Sequence, residues 1–135
     1  MTIPAKRHCP AINRVDIAWV CVATNDENPL HLDHEFAKNA GYKDVVVPGH
    51  LLIGWIGQYL EDWCGGAQNL LNWRLRFTAP VWPGDCICLQ GELSEVAADI
   101  RGATAVTVNA ISQEGKVVGI ATAELCLSES SSVTN

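Results

Sequence analysis

Asp26 and His31 stand five residues apart in the segment Asn25-Asp26-Glu27-Asn28-Pro29-Leu30-His31-Leu32-Asp33, which directly follows the apolar run from Ile17 to Ala23. An aspartate can accept a proton while a histidine, titrating near neutrality, shuttles another, so the pair suits general acid–base work on one water. Asn28-Pro29 between them disfavours a regular helix and favours a turn that brings carboxylate and imidazole together. Taken alone, the same residue types also fit a capping aspartate and a histidine satisfied by backbone. His31 and His34 have a spacing a metal could use, but the acid–base role explains His31 without one, and no metal is expected.

The elements that must position this pair follow from periodicity. Between Pro48 and Trp63, the residues Leu51, Leu52, Trp55, Ile56, Tyr59, Leu60 and Trp63 recur at spacings of three and four, which predicts one long helix with Pro48 at its start. Gly54 and Gly57 lie inside it at a cost of about 1 kcal/mol each against alanine, which implies a strand or ligand packed very close. Beyond Cys64-Gly65-Gly66 the period changes to two: Leu71, Trp73, Leu75 and Phe77 alternate with Asn72, Arg74, Arg76 and Thr78, the pattern of a strand with one buried face. Further strands are expected around Cys86–Leu93, Thr104–Ser112 and Val117–Leu127, with turns at Trp82-Pro83-Gly84-Asp85, around Ala98–Gly102 and at Gln113–Lys116. One long helix and a run of antiparallel strands make an α+β domain in which the sheet covers the helix, and its unpaired edges predict a homodimer.

Length and composition narrow the function. The 135 residues, 48% hydrophobic with five Trp, are material for a single domain, with residues 1–14 as an N-terminal arm and 128–135 as a loose polar tail. A net charge of -6 offers no field for a phosphate backbone, so nucleic acid is a poor partner. No apolar stretch approaches bilayer-spanning length and the N-terminus carries no signal-peptide pattern, so a soluble cytoplasmic protein without membrane contact is expected. The six cysteines include no C-x-x-C pair; Cys86 and Cys88 would point the same way from one strand, and reduced, mostly buried thiols are expected.

The segment Asp26-Glu27-Asn28-Pro29-Leu30-His31 resembles the D-x-N-P-x-H motif of the MaoC-like dehydratases and R-specific enoyl-CoA hydratases of the hot-dog fold. The resemblance runs over residues 16–93, through Asp33-His34-Glu35-Phe36-Ala37, the glycine-led central helix, and Leu75-Arg76-Phe77-Thr78-Ala79-Pro80-Val81-Trp82-Pro83-Gly84-Asp85. It implies a helix over Val15–Val22, although the β-branched residues there favour a strand. It also implies that Asp26 and His31 activate water for syn addition to an enoyl thioester, or the reverse dehydration, and that the Gly49 N–H binds the thioester carbonyl. No cofactor is implied beyond the CoA or acyl-carrier-protein thiol of the substrate.

Asn28 and His50 are then candidate substrate-binding residues, although Asn28 more simply closes the turn and His50 fits packing as well as pocket lining. Lys38, Lys43, Arg74 and Arg76 are weaker candidates for carrier phosphates, and Trp55, Trp63 and Trp73 fit core better than an acyl tunnel. Two departures stand out. Asn25 replaces a frequent glycine, and asparagine is the next residue to tolerate a left-handed backbone. Pro48 and His50 flank Gly49 where many relatives carry histidine and methionine, which bears on substrate choice more than on the reaction. Two other functions fit the fold: an acyl-thioester hydrolase, disfavoured because Glu61 and Asp62 lie at the far end of the central helix, and a non-catalytic thioester- or carrier-binding module.

Overall fold

Residues 2–127 are described by the structure, a computed structural model; the tail 128–135, expected to be loose, lies outside the described residues. The segment with strand-like propensity is the helix α1, Arg14–Ala23. Its start is specified by a cap: the Asn13 side chain accepts the Asp16 N–H at 2.8 Å, and Asp16 lies in the first turn, where the helix dipole favours an anion. Ile17 and Cys21, four apart, are its buried face, and this burial overrides β propensity.

Helix α2, His34–Asn39, follows after a short 3₁₀ turn at Pro29–His31, and the long helix α3 spans Gly49–Cys64. One antiparallel sheet wraps α3. Its strands β1 (Arg7–His8), β2 (Leu70–Phe77), β3 (Cys88–Leu93), β4 (Thr104–Ile111) and β5 (Val117–Leu125) run in the order β1-β3-β4-β5-β2. The core joins Leu52, Ile56, Tyr59 and Leu60 of α3 to Val106, Val108 and Ala110 of β4 and Val118, Ala121, Ala123 and Leu125 of β5. Small residues on the concave side let the sheet close round the helix, and β4 and β5 show the expected alternation. The N-terminal arm lies against this body: Cys9 and Ile12 are buried, and Arg7 meets Asp62 at 2.8 Å with its guanidinium over the Tyr59 ring.

Three local expectations are revised. Leu71 and Phe77 are not core: both are exposed, because a bulge between Leu70 and Asn72 shifts the register at the start of β2 and Phe77 lies at its other end. The close approaches on α3 are not at Gly54, which faces open space, or at Gly57, where a Cβ would have ordinary contact with Trp73. They are at Gly49, under the Phe77 ring, and at Gly91 of β3, where a Cβ would come within 2.7 Å of Trp63 and 2.9 Å of the Tyr59 hydroxyl. All six cysteines are free thiols, but Cys86 precedes β3 and is exposed, as is Cys126, so only Cys9, Cys21 and Cys64 are buried. Among the described residues no helix is long and apolar enough to cross a membrane.

Candidate active site

The carboxylate is delivered by the way α1 ends. Asn25 adopts φ +52° and is the one non-glycine among the described residues at positive φ. Around it the Asn25 N–H donates to the Val22 carbonyl at 3.2 Å and the Asp26 N–H to the Cys21 carbonyl at 2.8 Å, the two bonds of a left-handed helix stop. The chain therefore leaves the helix sharply at Asp26. The expectation that asparagine substitutes for glycine here agrees with this geometry.

The next five residues are a sequence of side-chain-closed turns. Asp26 Oδ1 accepts the Asn28 N–H at 3.1 Å, and Asn28 Oδ1 accepts the Leu30 N–H at 3.0 Å, capping the Pro29–His31 turn. With Oδ1 engaged, Oδ2 is free to face the His31 ring, and it lies 3.3 Å from Nε2. His31 Nδ1 is 2.6 Å from the Val46 carbonyl oxygen, which can only accept, so Nδ1 carries hydrogen and Nε2 is the nitrogen that faces Asp26. Both side chains are largely enclosed, at 12% exposure for His31 and 22% for Asp26, yet neither is sealed from solvent.

His31 and Gly49 share a cavity of about 380 Å³ whose remaining wall is mostly apolar: Tyr42, Val46, Val47, Leu52, Phe77 and Pro80 among others. Gly49 begins α3 after Pro48, which offers no side-chain cap; the Leu51 N–H turns back to the Pro48 carbonyl at 3.1 Å, and Gly49 itself lines the cavity at this helix start. Half-exposed Phe77 covers this point, and a Cβ on Gly49 would come 2.5 Å from its Cζ.

The other sequence candidates separate from this centre. Asn28 is exposed and spends its side-chain oxygen on the turn; His50 is exposed and does not line the cavity. Trp55, Trp63 and Trp73 pack against the core rather than the cavity. Lys43 sits over the Trp82 ring, 4.8 Å from its centroid. A second cavity, about 330 Å³ between β2, β5 and residues 94–99, lies apart from Asp26 and His31.

Sequence reasoning missed two kinds of residue. Asp33 caps α2, accepting the Phe36 N–H at 3.1 Å. Asp44 joins Arg14, His34 and the Val45 N–H, and the Arg14 guanidinium above all holds its carboxyl well below the usual carboxylate range. Nothing in local spacing marks Asp44, since its main partner is 30 residues away.

Residues 5–116 match the family model described as a MaoC like domain. The chain belongs to the MaoC-like domain family. Among curated relatives, an (R)-specific enoyl-CoA hydratase of Aeromonas caviae is 32% identical over 96 residues, covering 68% of this chain and 69% of that protein. A mitochondrial 3-hydroxyacyl-[acyl-carrier-protein] dehydratase of Solanum lycopersicum is 39% identical over 70 residues, 52% of this chain and 42% of that protein, so the match spans less than half of the tomato enzyme. The solved structure of the A. caviae (R)-hydratase involved in PHA biosynthesis superposes with a TM-score of 0.77 at 23% identity, over 95% of this chain and 98% of that one. That likeness establishes the hot-dog fold, the five-stranded antiparallel sheet wrapped on one long helix.

Proposed function

We propose that the chain catalyses R-specific hydration of trans-2-enoyl thioesters of CoA or acyl carrier protein, and the reverse dehydration of 3-hydroxyacyl thioesters, as a hydro-lyase without a cofactor. The observation that carries this is the 3.3 Å approach of Asp26 Oδ2 to His31 Nε2, with His31 lining a mostly apolar cavity that also reaches the Gly49 end of α3. The names of the A. caviae and tomato relatives support the same reaction class.

A water bound beside the pair, within reach of both Asp26 Oδ2 and His31 Nε2, adds its oxygen to C3 of the enoyl group while one of its protons passes to the pair. The pair then returns one proton to C2, so oxygen and hydrogen enter from the same face and the two side chains end as they began. As the C2–C3 double bond is attacked, negative charge moves onto the thioester oxygen. An amide at an uncapped helix start suits that charge, which assigns the Gly49 N–H as its donor. The apolar wall accommodates the acyl chain, and direction follows the supply of substrate, since the same barrier is lowered both ways.

The proposal includes a cytoplasmic homodimer. β2 lies at one end of the sheet with eight residues, and Ile53, Leu71 and Phe77 add exposed apolar surface on or near it; a second copy pairing there would cover both. Free thiols are what a reducing compartment maintains.

The test offers the protein trans-2-enoyl-CoA of several chain lengths and follows loss of conjugated absorbance together with thiol release. Absorbance loss without thiol release is expected. Thiol release would make it a hydrolase, and no turnover at any length, on CoA or carrier protein, a binding module. The hydrolase outcome is disfavoured by Asp62, which is paired with Arg7 near the C-terminal end of α3.

A further inference from the structure

The mutual placement of Asp26 and His31 depends on three pieces of chain. The stop after α1 leads to Asp26, the 3₁₀ turn that leads into α2 carries His31, and the irregular segment 44–47 supplies the Val46 carbonyl that accepts from His31 Nδ1. One carboxylate reaches α1, the α2 start that follows the turn, and its own segment. Asp44 Oδ2 accepts from Arg14 Nη2 at 2.7 Å and Oδ1 from Arg14 Nη1 at 3.1 Å, a two-point grip on the first residue of α1. Asp44 Oδ1 also lies 3.0 Å from His34 Nδ1, at the start of α2, and accepts the Val45 N–H of its own segment at 2.7 Å.

We infer that Asp44 is a positioning residue for the His31 ring: it clamps segment 44–47 between α1 and α2, so that the Val46 carbonyl holds Nδ1 and presents Nε2 to Asp26. The inference rests on the hydratase reading for its catalytic consequence, though not for its geometry.

Past Val46 the segment is well held, with the Val46 N–H donating to the Leu30 carbonyl at 3.1 Å and the Val47 N–H to the Val81 carbonyl at 2.9 Å. Before it, the chain leaves α2 through Gly41 at φ +95°, and residues 41–43 are exposed. Tyr42 and Lys43 pack on Trp82 there, and Asp44 is the side chain that ties the strap to α1 and α2. Without its charge those two ties are lost, and the carbonyl facing Nδ1 drifts. A neutral imidazole released from that carbonyl populates both tautomers, and the form with hydrogen on Nε2 cannot take a proton there.

The test uses Asp44→Asn, which keeps the shape and removes the charge, with Arg14→Gln as a second variant that alters only an exposed side chain. The His31 ring nitrogens are read by two-bond proton–nitrogen correlation spectra of the labelled full chain, assigned by the signals lost in His31→Ala. In the parent, Nδ1 stays in the range of a nitrogen bearing hydrogen at every pH where the protein is folded. In both variants it moves toward an averaged position, kcat for enoyl-CoA hydration falls on the order of tenfold, and KM changes little. Asp44→Glu, which keeps the charge, recovers part of the loss.

A His31 ring unmoved in folded Asp44→Asn and Arg14→Gln overturns the clamp, as does an unchanged kcat. The hydratase reading fails separately: a parent that hydrates no enoyl thioester leaves the ring measurement standing, because that readout needs no substrate.

Discussion

Gly49→Ala places one methyl group where the structure leaves no room. The added Cβ would stand 2.5 Å from Phe77 Cζ, 3.0 Å from Cε2 and 3.1 Å from Cε1. Carbon contacts settle at about 3.5–4.0 Å, so the ring must retreat by roughly 1 Å or more. It can do so, because Phe77 is 50% exposed and the atoms it presents are the far end of its side chain. An off-rotamer ring costs about 0.5–1.5 kcal/mol, and replacing glycine by alanine in a helix returns up to about 1 kcal/mol, so folding stability should fall by no more than about 1.5 kcal/mol. Activity should suffer far more: the methyl sits beside the proposed thioester donor, and a shift of about 1 Å in such a site costs on the order of 10²-fold in kcat/KM. Urea denaturation and enoyl-CoA hydration separate the two effects. Phe77→Ala in the same background removes the clash, and the pair should show non-additive stability in a double-mutant cycle. Unimpaired hydration by Gly49→Ala would refute the placement of the thioester at this helix start, and a loss above about 3 kcal/mol would refute the movable ring.

Three further outcomes are expected. Asn25→Gly should change stability by less than about 1 kcal/mol, whereas Asn25→Val should cost about 1–2 kcal/mol and lower activity, because a β-branched residue resists φ +52° and the stop that aims Asp26 loosens; melting and turnover measured on both variants check this. Asp44 titrates lower in the folded than in the unfolded chain, so its contribution to stability is full above the ordinary aspartate pKa of about 4 and is lost as the pH falls below it. The difference in melting temperature between parent and Asp44→Asn should therefore narrow as the pH is lowered from 7 to 3, and a gap that widens would contradict it. His50→Met should leave kcat close to that of the parent, since His50 is exposed and outside the cavity; a loss comparable to that of His31→Ala would place His50 in the chemistry.

What the sequence makes legible here is what short range decides. Asn25 in the left-handed region, the Asn28-Pro29 turn and the period of α3 each follow from residues within a few positions of one another. α1 is a partial case: its β-branched residues point to a strand, whereas the resemblance points to the helix that forms, which the Asn13 side chain caps. Longer-range geometry is hidden. The bulge that exposes Leu71 depends on the partner strand β5, and the close approach to Gly49 depends on Phe77, 28 positions later, which alternation alone assigns to the core. Asp44 carries no local signal because Arg14 and His34 reach it only after folding. For the same reason the tautomer of His31, set by the Val46 carbonyl, is a property of the assembled site.

The central claim is that Asp26 and His31 together handle the proton of one water. Its most direct test compares kcat/KM for hydration of one trans-2-enoyl-CoA by the parent, Asp26→Asn and His31→Ala, with melting curves to confirm folding. Each variant should stay folded and lose about 10²–10⁴-fold in kcat/KM. Variants that fold and hydrate at the parent's rate would contradict the account.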